Sequence, residues 1–163
     1  MSIQLSGADL IDLAVQTEVR GEAFYRQAAS QASTPEAKEL FAYLAEQEVH
    51  HRQIFQGLAS AIVITEMDPT TWEEALAYIE STVDRAFFTA DAPIRAVPEG
   101  ATEVDMLNSA IAFEQQTLLF FYALRDLAQP VNRSIIDKIV EEERRHVRRL
   151  AALREQRRES GQP

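Results

Sequence analysis

Residues 44–55 read LAEQEVHHRQIF, and residues 139–150 read IVEEERRHVRRL. Each carries a Glu-x-x-His step, Glu48 to His51 and Glu143 to His146. On a helix such a step puts both side chains on one face, about one turn apart. Leu44 and Phe55 share that face in the first stretch, Ile139 and Leu150 in the second. An acid and an imidazole therefore stand, twice, where a core side chain is expected.

Alternating three- and four-residue steps, followed outward from these pairs, give four long core stripes. The first helix, expected over residues 7–32, carries Ile11, Ala14, Glu18, Gly21, Tyr25, Ala28 and Ala32. The second, over 35–60, carries Ala37, Phe41, Leu44, Glu48, His51, Phe55 and Leu58. The third, over 102–129, carries Leu107, Ile111, Glu114, Leu118 and Phe121. The fourth, over 131–158, carries Ile136, Ile139, Glu143, His146, Leu150 and Leu153. Ser6 with Asp9, Thr34 before Pro35, and Thr102 with Asp105 supply the starts.

The first and last connections are only a few residues long, so each helix pair forms an antiparallel hairpin. Between the hairpins lies a crossover over 61–101. It holds the turn signals Asp68-Pro69, Ala92-Pro93 and Pro98-Glu99-Gly100. A fifth helical stretch is expected over 71–88, with Trp72 as a packing residue. The expected fold is all-α: a single domain over 1–163, an antiparallel four-helix bundle of two hairpins joined by a long helix-containing crossover, the topology of ferritin-like folds.

Glu18 precedes the first turn by about 14 residues and Glu48 follows it by about 13, so at ~1.5 Å per residue both lie ~20 Å from it. Glu114 and Glu143 stand in the same relation to the second turn. The intervals are 30 residues from Glu18 to Glu48 and 29 from Glu114 to Glu143. Four carboxylates and two imidazoles thus meet at one depth of the core. An ionised carboxylate there costs several kcal/mol unless paired or metal-bound, and four together repel one another. A metal centre of high charge resolves the conflict.

Composition narrows the chemistry. The 163 residues include no cysteine, so any metal must be held by His, Glu or Asp. The net charge of −10 argues against nucleic acid as a partner. Residues 1–143 hold 24 acids and 9 bases, residues 144–163 two acids and seven arginines. The basic end is read as the dipole-favoured C-terminus of the last helix. The most apolar run, LLFFYAL at 118–124, falls far short of the ~20 residues a membrane span needs. With no targeting segment at the N-terminus, a cytoplasmic protein is expected.

These residues resemble the rubrerythrin/ferritin-like di-iron carboxylate superfamily. The resemblance covers the two hairpins and rests on Glu48-x-x-His51 and Glu143-x-x-His146 with Glu18 and Glu114 on the partner helices. The aromatic segments EAFYRQAA (22–29) and LLFFYAL add to it. It implies two iron ions, Fe2+/Fe3+, bridged by Glu48 and Glu143, with Glu18 and His51 completing one and Glu114 and His146 the other. Mn2+ suits the same ligands. Tyr25 and Tyr122 are candidates to hydrogen-bond the carboxylates. Glu22 and His50 read as solvated groups, the latter paired with Glu46, and Glu141 and Glu142 as part of a water-facing charged run.

Two departures shape the expected activity. Rubrerythrins proper carry a rubredoxin-like module with four cysteines; here there is none, so reducing electrons must come from an external donor. Peroxidase members tend to carry a further glutamate one turn after Glu114, where this chain has Thr117. The resemblance then implies a non-haem di-iron oxidoreductase that oxidises Fe(II) with O2 or H2O2, in ferroxidase action, peroxide detoxification or iron handling. The alternatives are a dimanganese catalase-like enzyme and a non-catalytic metal-binding bundle or iron carrier. A homodimer is expected, plain or swapped.

Overall fold

The computed structural model describes residues 7–59, 69–82 and 97–161. Five helices follow in order: α1 Gly7–Gln31, α2 Pro35–Ala59, α3 Pro69–Thr82, α4 Glu103–Leu127 and α5 Pro130–Glu159. Ser6, the two turns at Asp68 and Ala92, and the expected helical residues 83–88 lie outside the described residues, as does the Trp72 side chain.

Local chemistry sets the helix ends. Thr34 caps α2, its Oγ1 accepting from the Ala37 amide at 3.4 Å, with Pro35 at the first helical position. Thr102 and Asp105 form a reciprocal capping box at the start of α4. Gly100, with φ of 81°, turns the chain into that box in a conformation that favours glycine. Arg133 donates to the carbonyls of Ala128 (2.8 Å) and Asp126 (3.3 Å), holding the tight turn between α4 and α5.

One end of the bundle is locked by a polar knot. Glu103 accepts from the amide and hydroxyl of Ser33 (2.9 and 2.6 Å) and of Thr34 (2.7 and 2.8 Å). Arg157, near the end of α5, donates to Thr34 Oγ1 at 2.9 Å and Glu36 at 3.0 Å, and its Nε lies 3.3 Å from Glu103. The α1–α2 turn, the start of α4 and the end of α5 therefore meet. Helices α1 and α5 run toward this end and α2 and α4 run away from it. The end of α2 and the start of α4 lie at opposite ends of the bundle, which is why the connection between hairpins is long. Arg157 thus does more than complement a helix dipole.

Within each hairpin the helices pack along their length, α1 on α2 and α4 on α5; α1 with α4 and α2 with α5 form the seams between hairpins. Every stripe residue anticipated from the sequence is buried except Leu118, which is half-buried. Helix α4 also buries a second stripe, Glu103, Met106, Ala110, Phe113, Thr117, Phe120, Leu124 and Leu127. The single-stripe reading missed it because α3 of the crossover packs against α4 as well.

The apolar core is divided in two. At the far end Leu10, Ile11, Phe55, Phe120, Phe121, Leu124 and Ile136 form one cluster. Near the polar knot Phe24, Tyr25, Phe41, Leu44, Leu107, Ile111 and Leu150 form the other. The charged residues lie between these two plugs.

Candidate metal centre

The structure brings Glu18 from α1, Glu48 and His51 from α2, Glu114 from α4, and Glu143 and His146 from α5 into one buried layer. One chain supplies all six. The hairpin register explains why: each pair of glutamates stands at matching distances from its turn, and the helical step carries each histidine one turn onward. Gly21, one turn after Glu18, makes room for Glu48. A Cβ there would lie 3.0 Å from Glu48 Cδ and 3.1 Å from both Cγ and Oε2.

Two overlapping donor sets result. Glu18, Glu48, His51 and Glu143 form one; Glu48, Glu114, Glu143 and His146 form the other, with the donor atoms of each set within 4.8 Å of one another. Glu48 and Glu143 belong to both. Glu143 reaches both rings, with Oε1 2.9 Å from His51 Nδ1 and Oε2 2.7 Å from His146 Nδ1. Glu18 lies 3.9 Å from His51 Nδ1, and Glu114 lies 3.8 Å from His146 Nδ1. The two imidazoles stack with centroids 5.7 Å apart.

Electrostatics record how much charge is crowded here. Burial, with the neighbouring Glu143 charge, pushes the Glu18 carboxyl up to about 7. Burial and the charges of Glu18 and Glu143 hold Glu48 well above the usual carboxylate range. Glu114 is raised likewise by burial and Glu143. Burial would raise Glu143 too, but its contacts with His146 and His51 outweigh that and hold it low. Burial lowers His51, yet Glu143, Glu18 and Glu142 overcome it and lift the imidazole to about 9.

The donors fit a metal pair. Both oxygens of Glu18, Oε1 of Glu48 and Oε2 of Glu114 are buried without a hydrogen-bond partner. Buried polar atoms are ordinarily satisfied, so a cluster of unpartnered donors facing one another is the pattern expected of ligands. Four carboxylates and two neutral imidazoles carry a formal −4, matched by two divalent cations.

Around this layer the sequence expectations divide. Tyr25 donates its hydroxyl to Glu114 Oε1, and burial and the nearby carboxylates push its phenol well above the ordinary value of 10. Tyr122 makes no such bond. It lies half-buried on the far-end cluster, with the Arg125 guanidinium 5.2 Å from its ring centroid. Eight residues beyond Glu114 is about 80° around the helix, whereas Tyr25, seven beyond Glu18, stays within about 20° of the seam.

Glu142 does not simply face water. It is half-buried, and its Oε2 lies 2.8 Å from His51 Nε2. A carboxylate behind a ligating imidazole fixes ring orientation and raises its basicity. The sequence signal was its place one residue before Glu143, turned toward α2. Glu22 pairs with Arg26 and Arg52, and Glu46 pairs with Arg26 at 3.3 Å rather than with His50. Thr117 is buried one turn after Glu114, its hydroxyl unpartnered.

Known proteins agree with this architecture. A candidate ferritin-like diiron-carboxylate protein from Thermotoga maritima is similar in structure, with a TM-score of 0.64 at 22% identity over 95% of this chain and 98% of that one. At that identity the likeness shows the fold. No curated protein matches the sequence. A family model for rubrerythrin matches residues 9–104, from the start of α1 through α2 and the crossover to the start of α4. That span includes Glu18, Glu48 and His51, whereas Glu114, Glu143 and His146 lie beyond it and are placed by the geometry alone. The match takes in more than half of the chain, which therefore belongs to the rubrerythrin family.

Proposed function

We propose that the protein is a non-haem di-iron oxidoreductase that oxidises Fe(II) with O2 or H2O2, in iron handling or peroxide detoxification. One observation carries this reading: two donor sets of carboxylate and imidazole share Glu48 and Glu143 in a buried layer between apolar plugs. Glu48 and Glu143 would bridge, Glu18 and His51 would complete one metal, and Glu114 and His146 the other. Iron held by these residues would supply two electrons for an oxidant and Lewis-acid polarisation of it.

The chain's own side chains set the conditions. Gly21 leaves Glu48 its space, Tyr25 holds Glu114, and Glu142 holds His51 from outside. Phe55 and Phe121 on one side and Phe41 and Leu44 on the other keep water from the carboxylates. Lacking cysteine, these 163 residues offer no thiolate iron site, so electrons for a reductive cycle would reach the centre from outside them. No described helix is long and apolar enough to cross a membrane.

Anaerobic Fe(II) titration with metal analysis, followed by parallel exposure to O2 and H2O2, tests the proposal. It predicts saturation at about two Fe(II) per chain and rapid oxidation by one oxidant. Chelator-treated protein that takes up neither Fe(II) nor Mn(II) overturns it. Mn(II) satisfies the same ligand types, and a manganese-loaded protein that dismutates peroxide would move the activity to that metal.

A further inference from the structure

The two histidines of the centre differ on their outer sides. His51 Nε2 meets the Glu142 carboxylate at 2.8 Å. His146 engages Glu143 through Nδ1, and its Nε2 has no hydrogen-bond partner among the described residues, although the side chain is only 2% exposed. The position on α2 that matches Glu142 on α5, one residue before the shared glutamate, is Gln47. The carboxylate that completes one imidazole is replaced at the other by a neutral amide.

In place of that carboxylate there is a cleft. It lies between α2 and α5, has a volume of about 390 Å3, and is lined in part by His146, Gln47, Arg145, Arg148 and Arg149. Arg149 stacks over the Tyr43 ring at 4.5 Å and has no carboxylate partner among the described residues. Arg145 reaches Glu142 at 3.6 Å and Arg148 reaches Glu141 at 3.3 Å, each keeping guanidinium N–H groups to spare. Glu142, the one acid in the lining, is already held by His51 and Arg145. The cleft is a local basic site on a chain whose first 143 residues carry an excess of 15 negative charges.

We infer that this cleft binds a phosphate-type oxyanion, free or as a small monoester, which Arg149 and its neighbours grip and which lies within hydrogen-bond reach of His146 Nε2. Guanidinium forks suit phosphate oxygens geometrically as well as by charge. The volume lies within the range of small-ligand pockets, larger than phosphate alone requires. Bound there, the anion is to His146 what Glu142 is to His51. The cleft faces the metal centre, yet the binding itself needs no metal.

Calorimetric titration of the chelator-treated full chain with inorganic phosphate, and separately with glycerol 3-phosphate, at constant ionic strength, tests this. One saturable site is expected, weakened at least about tenfold by Arg149→Ala, as loss of a charge-assisted contact requires. Arg158→Ala, an exposed arginine outside the cleft, should leave it unchanged. Nitrogen NMR of the three histidines should show the Nε2 resonance of His146 moving with occupancy. Tighter binding of the ester assigns the anion to a small metabolite, and equal binding assigns it to free phosphate. Absence of saturation by about 10 mM with both probes, corresponding to less than about 3 kcal/mol, overturns the inference. So does binding that survives the Arg145→Ala/Arg149→Ala double variant, or an unmoved His146 signal. Iron enters none of these measurements, so their failure leaves the proposed redox function standing, and failure of iron binding leaves the cleft standing.

Discussion

Glu18 with His51 and Glu114 with His146 occupy equivalent steps of the two hairpins, yet their supports are exchanged. In the first half the imidazole is held from outside by Glu142 while both oxygens of Glu18 lack a donor. In the second half the carboxylate receives the Tyr25 hydroxyl while the imidazole's outer nitrogen lacks a partner. Seven residues after Glu18 stands Tyr25; seven after Glu114 stands Phe121, which has nothing to donate. Three after Glu18 stands Gly21, making room for Glu48; three after Glu114 stands Thr117. The hairpins repeat the candidate ligands and differ in the side chains beside them, so the two metals of the proposed centre are expected to bind with unequal affinity.

The largest expected effect removes what both halves share. Glu143→Ala should abolish loading at both positions, whereas His146→Ala should leave about one metal per chain, because it belongs to one donor set. Metal analysis after anaerobic loading decides, and equal losses in the two variants would break the assignment of Glu143 as the bridging ligand.

The supports come next. Glu142→Gln should weaken metal at the His51 half about 10- to 100-fold, the usual penalty for losing an outer partner of a ligating imidazole. Tyr25→Phe should weaken the other half by a similar factor, and Gln47→Glu should strengthen it by giving His146 the missing carboxylate. Competition against a chromophoric chelator resolves the two steps. If all three variants titrate like the parent, the asymmetry has no thermodynamic weight.

Packing separates the halves more gently. Gly21→Ala forces Glu48 to shift and should cost about 1–3 kcal/mol, seen as a fall of several degrees in the melting temperature. Thr117→Ala removes a buried unpartnered hydroxyl and should be neutral or stabilising by up to about 1 kcal/mol.

An effect of a different kind, on pH dependence, is expected in metal-free protein. Glu18 titrates near 7 in the fold, above the ordinary 4.5, so its contribution is complete below about 4.5 and fades as pH rises through 7. His51, lifted to about 9, contributes fully below its ordinary 6.5 and loses that contribution as pH rises through 9. Glu143, held low, acts in the opposite sense and only on the acid side. The melting temperature should therefore fall from pH 5 toward pH 9. Glu18→Gln should flatten the lower part of that slope, and metal loading should suppress it, since metal replaces the protons.

The helices, the pairing into hairpins and the six charged seam positions were legible in the sequence because they depend on distances along the chain. A period of 3.6 residues fixes which side chains share a face, and a short turn fixes which residues of two helices stand at equal depth. Those two facts are enough to group Glu18 with Glu48 and His51, and Glu114 with Glu143 and His146; docking of the hairpins joins the two groups. The partnership of Tyr25 with Glu114, of Glu142 with His51, and of Arg157 with Glu103 and Thr34 depends instead on how each helix is rotated against a neighbour from the other hairpin. So does the removal of Tyr122 from the centre, while the second buried stripe of α4 depends on the crossover helix α3 as well. Helical periodicity predicts a face; only packing across the seams decides what that face meets.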